Sequence, residues 1–385
     1  MPDAEPLNLI SIQPFYGGSH RAFIDGWVQH SQHQWEQIHL PARHWKWRMR
    51  QSAVFFSAQI DKLWLEGHRW DFIFTTDMLN AAEFRGLLTT PARNVPLCIY
   101  FHENQIAYPN RKTDPRDLHF AFTNLTSIMA ADITWFNSEF NRSSLIHGLN
   151  EAAKHWPDYA PRELIESIPS RSTIVPPGIH VTSTPSGQVK KNTQAIHLVW
   201  AARWEHDKNP AGLLAILRKL DQHSIDFRLS VIGETFRQHP PEFDQIHSEF
   251  STQIEHWGFQ PDRDAYWNVL ATADVFISTA QHEFYGLAVL EGLAAGLAAI
   301  LPNRLAYPEI ARRFQNTNNE IFLYEATDEF VSGLQDMVKR LPQIRARRND
   351  TQNPPAALAA RWSLRGPELD LTIKESLHGQ EHNAV

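Results

Sequence analysis

The stretch His282-Glu283-Phe284-Tyr285-Gly286-Leu287-Ala288-Val289-Leu290-Glu291 decides the fold when joined to Ala202-Arg203-Trp204-Glu205-His206-Asp207-Lys208-Asn209-Pro210. Both segments follow apolar runs of strand length and lead into helical periodicity. The repeating unit is therefore strand, loop, helix, which builds a doubly wound parallel sheet. Glu283 falls on the loop and Glu291, eight positions on, falls on the helix. Both carboxylates can then face one ligand from different sides and accept hydrogen bonds from paired hydroxyls. The amides from Phe284 through Tyr285 and Gly286 to Leu287 stand at a helix start, where an anion is favoured. Arg203 and Lys208 supply cations for a diphosphate. Together these groups suit a nucleotide-sugar: base and ribose, two phosphates, and a hexose. Each half alone is weak. Acidic residues are favoured at helix starts in any case, and cations after a strand are usually solvated. The order of the two halves carries the signal.

Working outward, Leu7–Ile12 reads as an opening strand. It runs into the loop Gln13-Pro14-Phe15-Tyr16-Gly17-Gly18-Ser19-His20 and then a helix from Arg21 to His30. Further strands are expected at Trp35–Leu40, Asp71–Thr75, Pro96–Phe101 and Ile133–Phe136, with helices at Trp45–Glu66 and Leu118–Ala130. A second alternation has strands at Ile196–Ala202, Phe227–Ile232, Ile254–Gly258, Asp274–Ser278 and Ala298–Leu301. The expected organisation is a first domain over 1–180, a linker over 181–194, a second domain over 195–357 and a helical tail over 358–385. The charges of Lys339-Arg340 and Arg345–Arg348 read as a solvated helix face.

Composition narrows the class. The chain has 385 residues, 42% of them hydrophobic, enough for two cores. No apolar run is long enough to cross a membrane. The acidic start Met1–Pro6 does not read as a secretory signal. The single cysteine, Cys98, excludes an internal disulfide and fits a reducing cytoplasm. A net charge of −7 argues against a broadly basic surface but leaves room for a local one. The candidate is Arg43-His44-Trp45-Lys46-Trp47-Arg48-Met49-Arg50, in which Arg43, Lys46, Arg48 and Arg50 interleave with Trp45 and Trp47. Cations bind phosphates and indoles stack on bases, so this block reads as RNA-facing. An amphipathic helix with its indoles in the core fits the same residues equally well. Arg111, Lys112 and Arg116 extend the patch.

Two other elements invite chemistry. Gly17 and Gly18 let the backbone approach a ligand closely, although glycine pairs are also common in ordinary turns. Tyr100-Phe101-His102-Glu103-Asn104-Gln105 ends a buried strand, where open α/β sheets bind ligands. His102 is singled out for that place, since a chain with 20 histidines offers many unremarkable ones. A zinc-protease reading of His282-Glu283 fails because Gly286 occupies the position of the second histidine. No other His/Cys cluster has ligand spacing, and phosphate-loop and glycine-rich dinucleotide fingerprints are absent.

In its second half the chain resembles the retaining GT-B glycosyltransferases of family four. Their donor site has an Arg and Lys after the first strand of the second domain, then two glutamates separated by seven residues. Arg203, Lys208, Glu283 and Glu291 match in order. Phe284 stands where the family often has a second glycine, so the turn here must admit a Cβ. The resemblance implies two Rossmann-like domains facing across a cleft, a tail crossing back onto the first, and no bound metal or other cofactor. It also implies His102 beside the donor sugar or the reacting carbon.

Three blocks narrow it further: Pro14–His20, Leu40–Arg48 and Tyr100–Gln105. Together they resemble the tRNA-queuosine mannosyltransferases. That implies GDP-mannose as donor and, as acceptor, the cyclopentenediol of queuosine at the wobble position of tRNA-Asp, with retention. On that basis His102 and Glu283 are the catalytic candidates. Gly17, Gly18, Arg203, Lys208, Glu283, Phe284, Tyr285, Gly286, Leu287 and Glu291 bind the donor, with Glu291 on the ribose and Glu283 on the sugar. Ser19, His20, Arg43, Trp45, Lys46, Trp47, Arg48, Arg50, Glu103 and Asn104 face the acceptor. The expected protein is a cytoplasmic monomer or weak dimer with no membrane partner. Transfer of a hexose to a lipid or saccharide, and a non-catalytic tRNA-binding role, are the alternatives.

Overall fold

A computed structural model describes residues 5–107, 118–156, 158–182, 194–314, 319–348 and 354–383. The chain divides into two compact units, residues 1–178 with 362–385 and residues 179–361. Most of the expected linker, residues 183–193, lies outside the described residues, as do Arg111, Lys112 and Arg116.

The first unit holds β1 (Asn8–Tyr16), β2 (Gln34–Pro41), β3 (Phe72–Thr76), β4 (Leu97–Phe101), β5 (Ile133–Phe136) and β6 (Ser172–Ile174). They pair in the order β2-β1-β3-β4-β5-β6, parallel throughout. The second unit holds β7 (Ile196–Ala201), β8 (Phe227–Ile232), β9 (Ile254–Gly258), β10 (Val275–Ile277), β11 (Ala298–Pro302) and β12 (Ile321–Tyr324). Their order is β12-β11-β10-β7-β8-β9, again all parallel. Parallel strands need helical crossovers that cover both faces, so central strands read as unbroken apolar runs. β4 (Leu-Cys-Ile-Tyr-Phe) and β7 (Ile-His-Leu-Val-Trp-Ala) are buried along their whole length. The expected α/β class with two doubly wound parallel sheets is therefore present, and each sheet carries one edge strand, β6 or β12, beyond the five expected from the sequence.

Strand order fixes where ligands can enter. Crossovers run one way from the first strand and then the other, leaving an open crevice at the carboxyl ends where the direction switches. In the first sheet the switch lies between β1 and β3, and in the second between β7 and β10.

The tail is part of the first unit rather than a body of its own. Its helix, Trp362–Asn383, lays Trp362, Leu369 and Ile373 into a cluster with Phe23, Trp27 and Phe74. Trp27 Nε1 donates to Asp370 Oδ1 at 2.8 Å. Trp362 fills a slot that exists because Gly26 and Gly178 lack side chains; a Cβ on either would come within 2.5 Å of the indole. In the second unit, the expected solvated face at Arg345–Arg348 is partly a structural pin. Arg345 grips Asp274, 4% exposed, with both carboxylate oxygens engaged at 2.8 and 2.9 Å. Arg348 donates to the Leu270 carbonyl at 2.9 Å, and burial lowers its guanidinium to about 10. These two arginines close the amino end of β10, a task invisible in a run of like charges.

Candidate active site

At the switch point of the second sheet, the loop after β7 carries Lys208 and the loop after β10 carries Glu283. Asn209, in the left-handed region at φ 55°, caps the helix Pro210–Gln222 by accepting from Gly212 N at 3.1 Å. That turn aims Lys208 inward. Its ammonium, in a residue 8% exposed, donates to the His282 carbonyl at 2.8 Å and pairs with Asp207 at 3.1 Å and Glu283 at 3.4 Å. Burial opposes the charge, yet Glu283 and Asp207 outweigh it and hold the ammonium above its ordinary value. Arg203 is close enough for its charge to push the other way. It is half-exposed and reaches Glu205 at 3.3 Å.

The helix Leu287–Ala294 begins at Gly286, whose φ of 97° is a conformation that side chains disfavour. No side chain caps that helix. Its first turn is thus the dipole end offered to an anion beside Lys208. Phe284 is accommodated without strain: its φ is negative, and its ring packs edge-on against His282 at 4.5 Å. Glu291, one turn along the helix, is held by Arg263 at 2.6 Å and by the Tyr266 hydroxyl. Burial, with Glu291 alongside, raises the Tyr266 hydroxyl well above its ordinary value. Neither Arg263 nor Tyr266 stood out in the sequence. A signal existed, because an arginine in a helix's first turn opposes the dipole and calls for a partner.

The first unit corrects several expectations. Gly17 is extended, and a Cβ there would sit 2.4 Å from the Ala42 Cβ. That close packing by itself requires a glycine here. Asn104 is fully buried; its amide donates to the Asn141 carbonyl and side chain and to Ser144, so it does not face an acceptor. It belongs to a ladder that continues from Asn141 to Asn137, and Asn137 Nδ2 donates to the His102 carbonyl at 2.7 Å. On the other side, Asp77 Oδ1 accepts from the His102 N–H at 2.9 Å. The His102 backbone is clamped at both ends. Its ring lies 4.1 Å from that of His20, and burial pushes both imidazoles down, His20 to about 3. Glu103, beside Asp77, accepts from Gln105 at 2.9 Å, and Ser19 is exposed.

The basic-aromatic block divides. Arg43, Lys46, Trp47 and Arg50 point outward, with Trp47 61% exposed. Trp45 packs with Met49, Met78 and Phe120, and Arg48, 9% exposed, donates to the Pro41 carbonyl at 3.2 Å. Those two hold the helix start in place rather than face a ligand. A cavity of about 690 Å³ lies away from the switch point, beside β12 among Arg312, Arg340 and Arg347. Its carboxylate, Glu320, is already paired with Arg340 and Arg347. No helix among the described residues is long and apolar enough to cross a membrane, and no group of three metal-ligating side chains occurs among them.

Solved structures share this two-sheet fold. The HepE protein of Anabaena, crystallised with UDP, has a TM-score of 0.65 at 13% identity, covering 97% of this chain and 100% of that one. The catalytic domain of Arabidopsis thaliana starch synthase IV has a TM-score of 0.66 at 11% identity, covering 97% and 99%. Residues 184–352 match the family model for glycosyl transferases group 1. The chain is a glycosyltransferase of GT-B architecture. Residues 8–179 match the model for the tRNA-queuosine alpha-mannosyltransferase N-terminal region. The tRNA-queuosine alpha-mannosyltransferase of Drosophila melanogaster is 35% identical over 332 residues, 83% of this chain and 86% of that protein. The chain belongs to the tRNA-queuosine alpha-mannosyltransferase family. A GDP-mannose-dependent phosphatidylinositol dimannoside mannosyltransferase of Mycobacterium tuberculosis is 33% identical over 115 residues, 30% of this chain and 29% of that protein.

Proposed function

We propose that this enzyme transfers mannose from GDP-mannose to queuosine at the wobble position of tRNA-Asp, in the cytoplasm, with retention at the sugar carbon. The observation that carries the donor half is Lys208, buried between Asp207 and Glu283 at the open helix start of Gly286. A buried, pre-aimed ammonium beside helix amides meets the charge of a diphosphate, with Arg203 adding a second cation, and these groups serve in place of a metal ion. Glu283 takes the hexose hydroxyls and Glu291 the ribose. The name of the mycobacterial relative supports GDP-mannose as the donor, and family membership supports queuosine as the acceptor. The tRNA backbone is met by Arg43, Lys46 and Arg50, and an unstacked anticodon-loop base can stack on Trp47.

The test is a donor panel, GDP-mannose against UDP-glucose, on queuosine-containing tRNA. The anomeric proton of the product nucleoside is then read by NMR. An α-mannoside formed only from GDP-mannose is expected. A β-linked product overturns retention, and equal use of UDP-glucose overturns the donor. Glu291→Ala is expected to weaken GDP itself, whereas Glu283→Ala spares GDP and slows transfer; identical behaviour would refute the division of labour.

A further inference from the structure

The carboxyl edge of the first sheet ends in polar side chains that the donor account does not use. The register pairs Leu9 with Phe72 and Ser11 with Phe74, and continuing it sets Gln13 level with Thr76. Thr76 in turn pairs with Tyr100. Side chains alternate along a strand, so Leu9, Gln13, Phe72, Phe74, Thr76, Cys98 and Tyr100 share a face. That face packs on Phe23 and Trp27 of the helix Gly18–His30. His20, in the first turn of the same helix, and His102 close the corner, their rings 4.1 Å apart. Asp77 follows directly on β3, with one oxygen tied to the His102 N–H at 2.9 Å.

Five buried polar atoms at this corner lack a hydrogen-bond partner: Gln13 Oε1, His20 Nδ1, Thr76 Oγ1, Asp77 Oδ2 and His102 Nε2. Their residues are at most 7% exposed. Each unpartnered group costs stability, and such costs persist where function requires them. The five span three adjacent strands and one helix at the switch point of the sheet, where a ligand is expected. The set mixes donors with acceptors and contains no lysine or arginine. Burial keeps His20 and His102 neutral, and burial together with Glu103 holds the Asp77 carboxyl well above the usual carboxylate range. Such a corner suits an uncharged, hydroxyl-bearing group and disfavours a phosphate.

We propose that Asp77 Oδ2, Thr76 Oγ1 and the His20 and His102 rings form a subsite for the acceptor's two adjacent hydroxyls, a vicinal diol. This rests on the reading of the enzyme as a transferase to queuosine, and it adds Asp77 and Thr76 to the residues that select that acceptor. The donor hexose offers the same chemistry, so the test separates the two sources.

Thr76→Val removes one unpartnered hydroxyl and breaks no bond, so its melting temperature should equal or exceed the parent's. Asp77→Asn keeps an oxygen for the His102 N–H. Steady-state transfer is measured with GDP-mannose varied and with queuosine-containing tRNA varied, and binding of the same tRNA carrying unmodified guanosine is measured in parallel. In each variant, kcat/KM for the queuosine tRNA is expected to fall about tenfold or more. KM for GDP-mannose and affinity for the guanosine tRNA should stay at parental values. An unchanged kcat/KM for the queuosine tRNA in both variants overturns the subsite. A rise in KM for GDP-mannose instead reassigns the corner to the donor hexose and also overturns it. A parent enzyme that never modifies queuosine overturns the proposed function, an outcome visible before any variant is made.

Discussion

Lys208 is where the cost and the use of the site meet. Two carboxylates, Asp207 and Glu283, lie within 3.4 Å of its ammonium. Removing one partner of a buried ion pair costs about 3–5 kcal/mol because the other charge is left unpaired. Lys208→Met should fall toward the low end of that range, since the Glu283 side chain keeps 28% of its exposure. The expected result is a lower melting temperature, with GDP no longer raising it. Calorimetric GDP binding at parental affinity would remove Lys208 from the donor site. The buried histidines carry a pH prediction. His20 titrates at about 3 and His282 at about 4 in the folded chain, both through burial, with Lys208 adding to the shift at His282. Their unfolded value is about 6.5. Below it the unfolded chain binds protons that the fold refuses, so stability is complete above that pH and declines as pH falls. The slope is at most about 1.4 kcal/mol per pH unit for each group. Denaturant melts from neutral to mildly acidic pH should show that decline, and His20→Asn should flatten it; parallel curves for parent and variant would contradict the assignment. Lys208 and Glu283 were legible in the sequence because each follows a strand and adjoins a helix start. Asp77 was not, since a single aspartate after an apolar strand resembles any loop residue until strand order brings β3 beside β1 and β4.

At the scale of elements, the helix Trp45–Leu65 shows where patterning stops being informative. Both RNA-facing and core-packing readings of its basic-aromatic start were available, and the fold buries some of these residues while exposing the others. Helical spacing sends Trp45, Arg48 and Met49 one way and Lys46, Trp47 and Arg50 the other. Arg43→Ala and Arg50→Ala should weaken tRNA binding and flatten its salt dependence by about 0.7 in log–log slope for each single-strand phosphate left without its cation. Trp47→Ala should cost about 1–3 kcal/mol of tRNA binding with the slope and melting temperature unchanged. Trp45→Ala should lower the melting temperature instead. Filter binding across a salt series, beside thermal melts, checks all four, and parental slopes in both arginine variants would remove this helix from the RNA surface. The strands that sequence patterning missed were β6 and β12, both at sheet edges. β6 has three residues, too few for alternation to register. The four residues of β12, Ile-Phe-Leu-Tyr, are mostly half-buried and carry no turn signal as strong as those around the central strands.

Over the whole molecule, the two-unit division and both sheets follow from repetition of strand, loop and helix, which is why they could be read from sequence. The tail could not be placed that way. A 22-residue helix of mixed character carries no such repeat, and its place is set by the contacts of Leu369, Ile373 and Asp370 and by Gly26 and Gly178, whose missing side chains admit Trp362. Trp362→Ala empties that slot and should cost the first unit about 3–5 kcal/mol, read by denaturant unfolding. A cost near zero would mean that the tail adds nothing to the first core. The central claim is that a donor site built on Lys208 and Glu283 serves transfer of mannose to a modified tRNA base. The most direct measurement is nucleoside mass spectrometry after incubating the enzyme with GDP-mannose and queuosine-containing tRNA-Asp, beside Glu283→Ala. The account predicts a hexosyl-queuosine from the parent and little from the variant, with every other nucleoside unchanged. Queuosine recovered unmodified from the parent reaction, or the hexose found on another nucleoside, would contradict it.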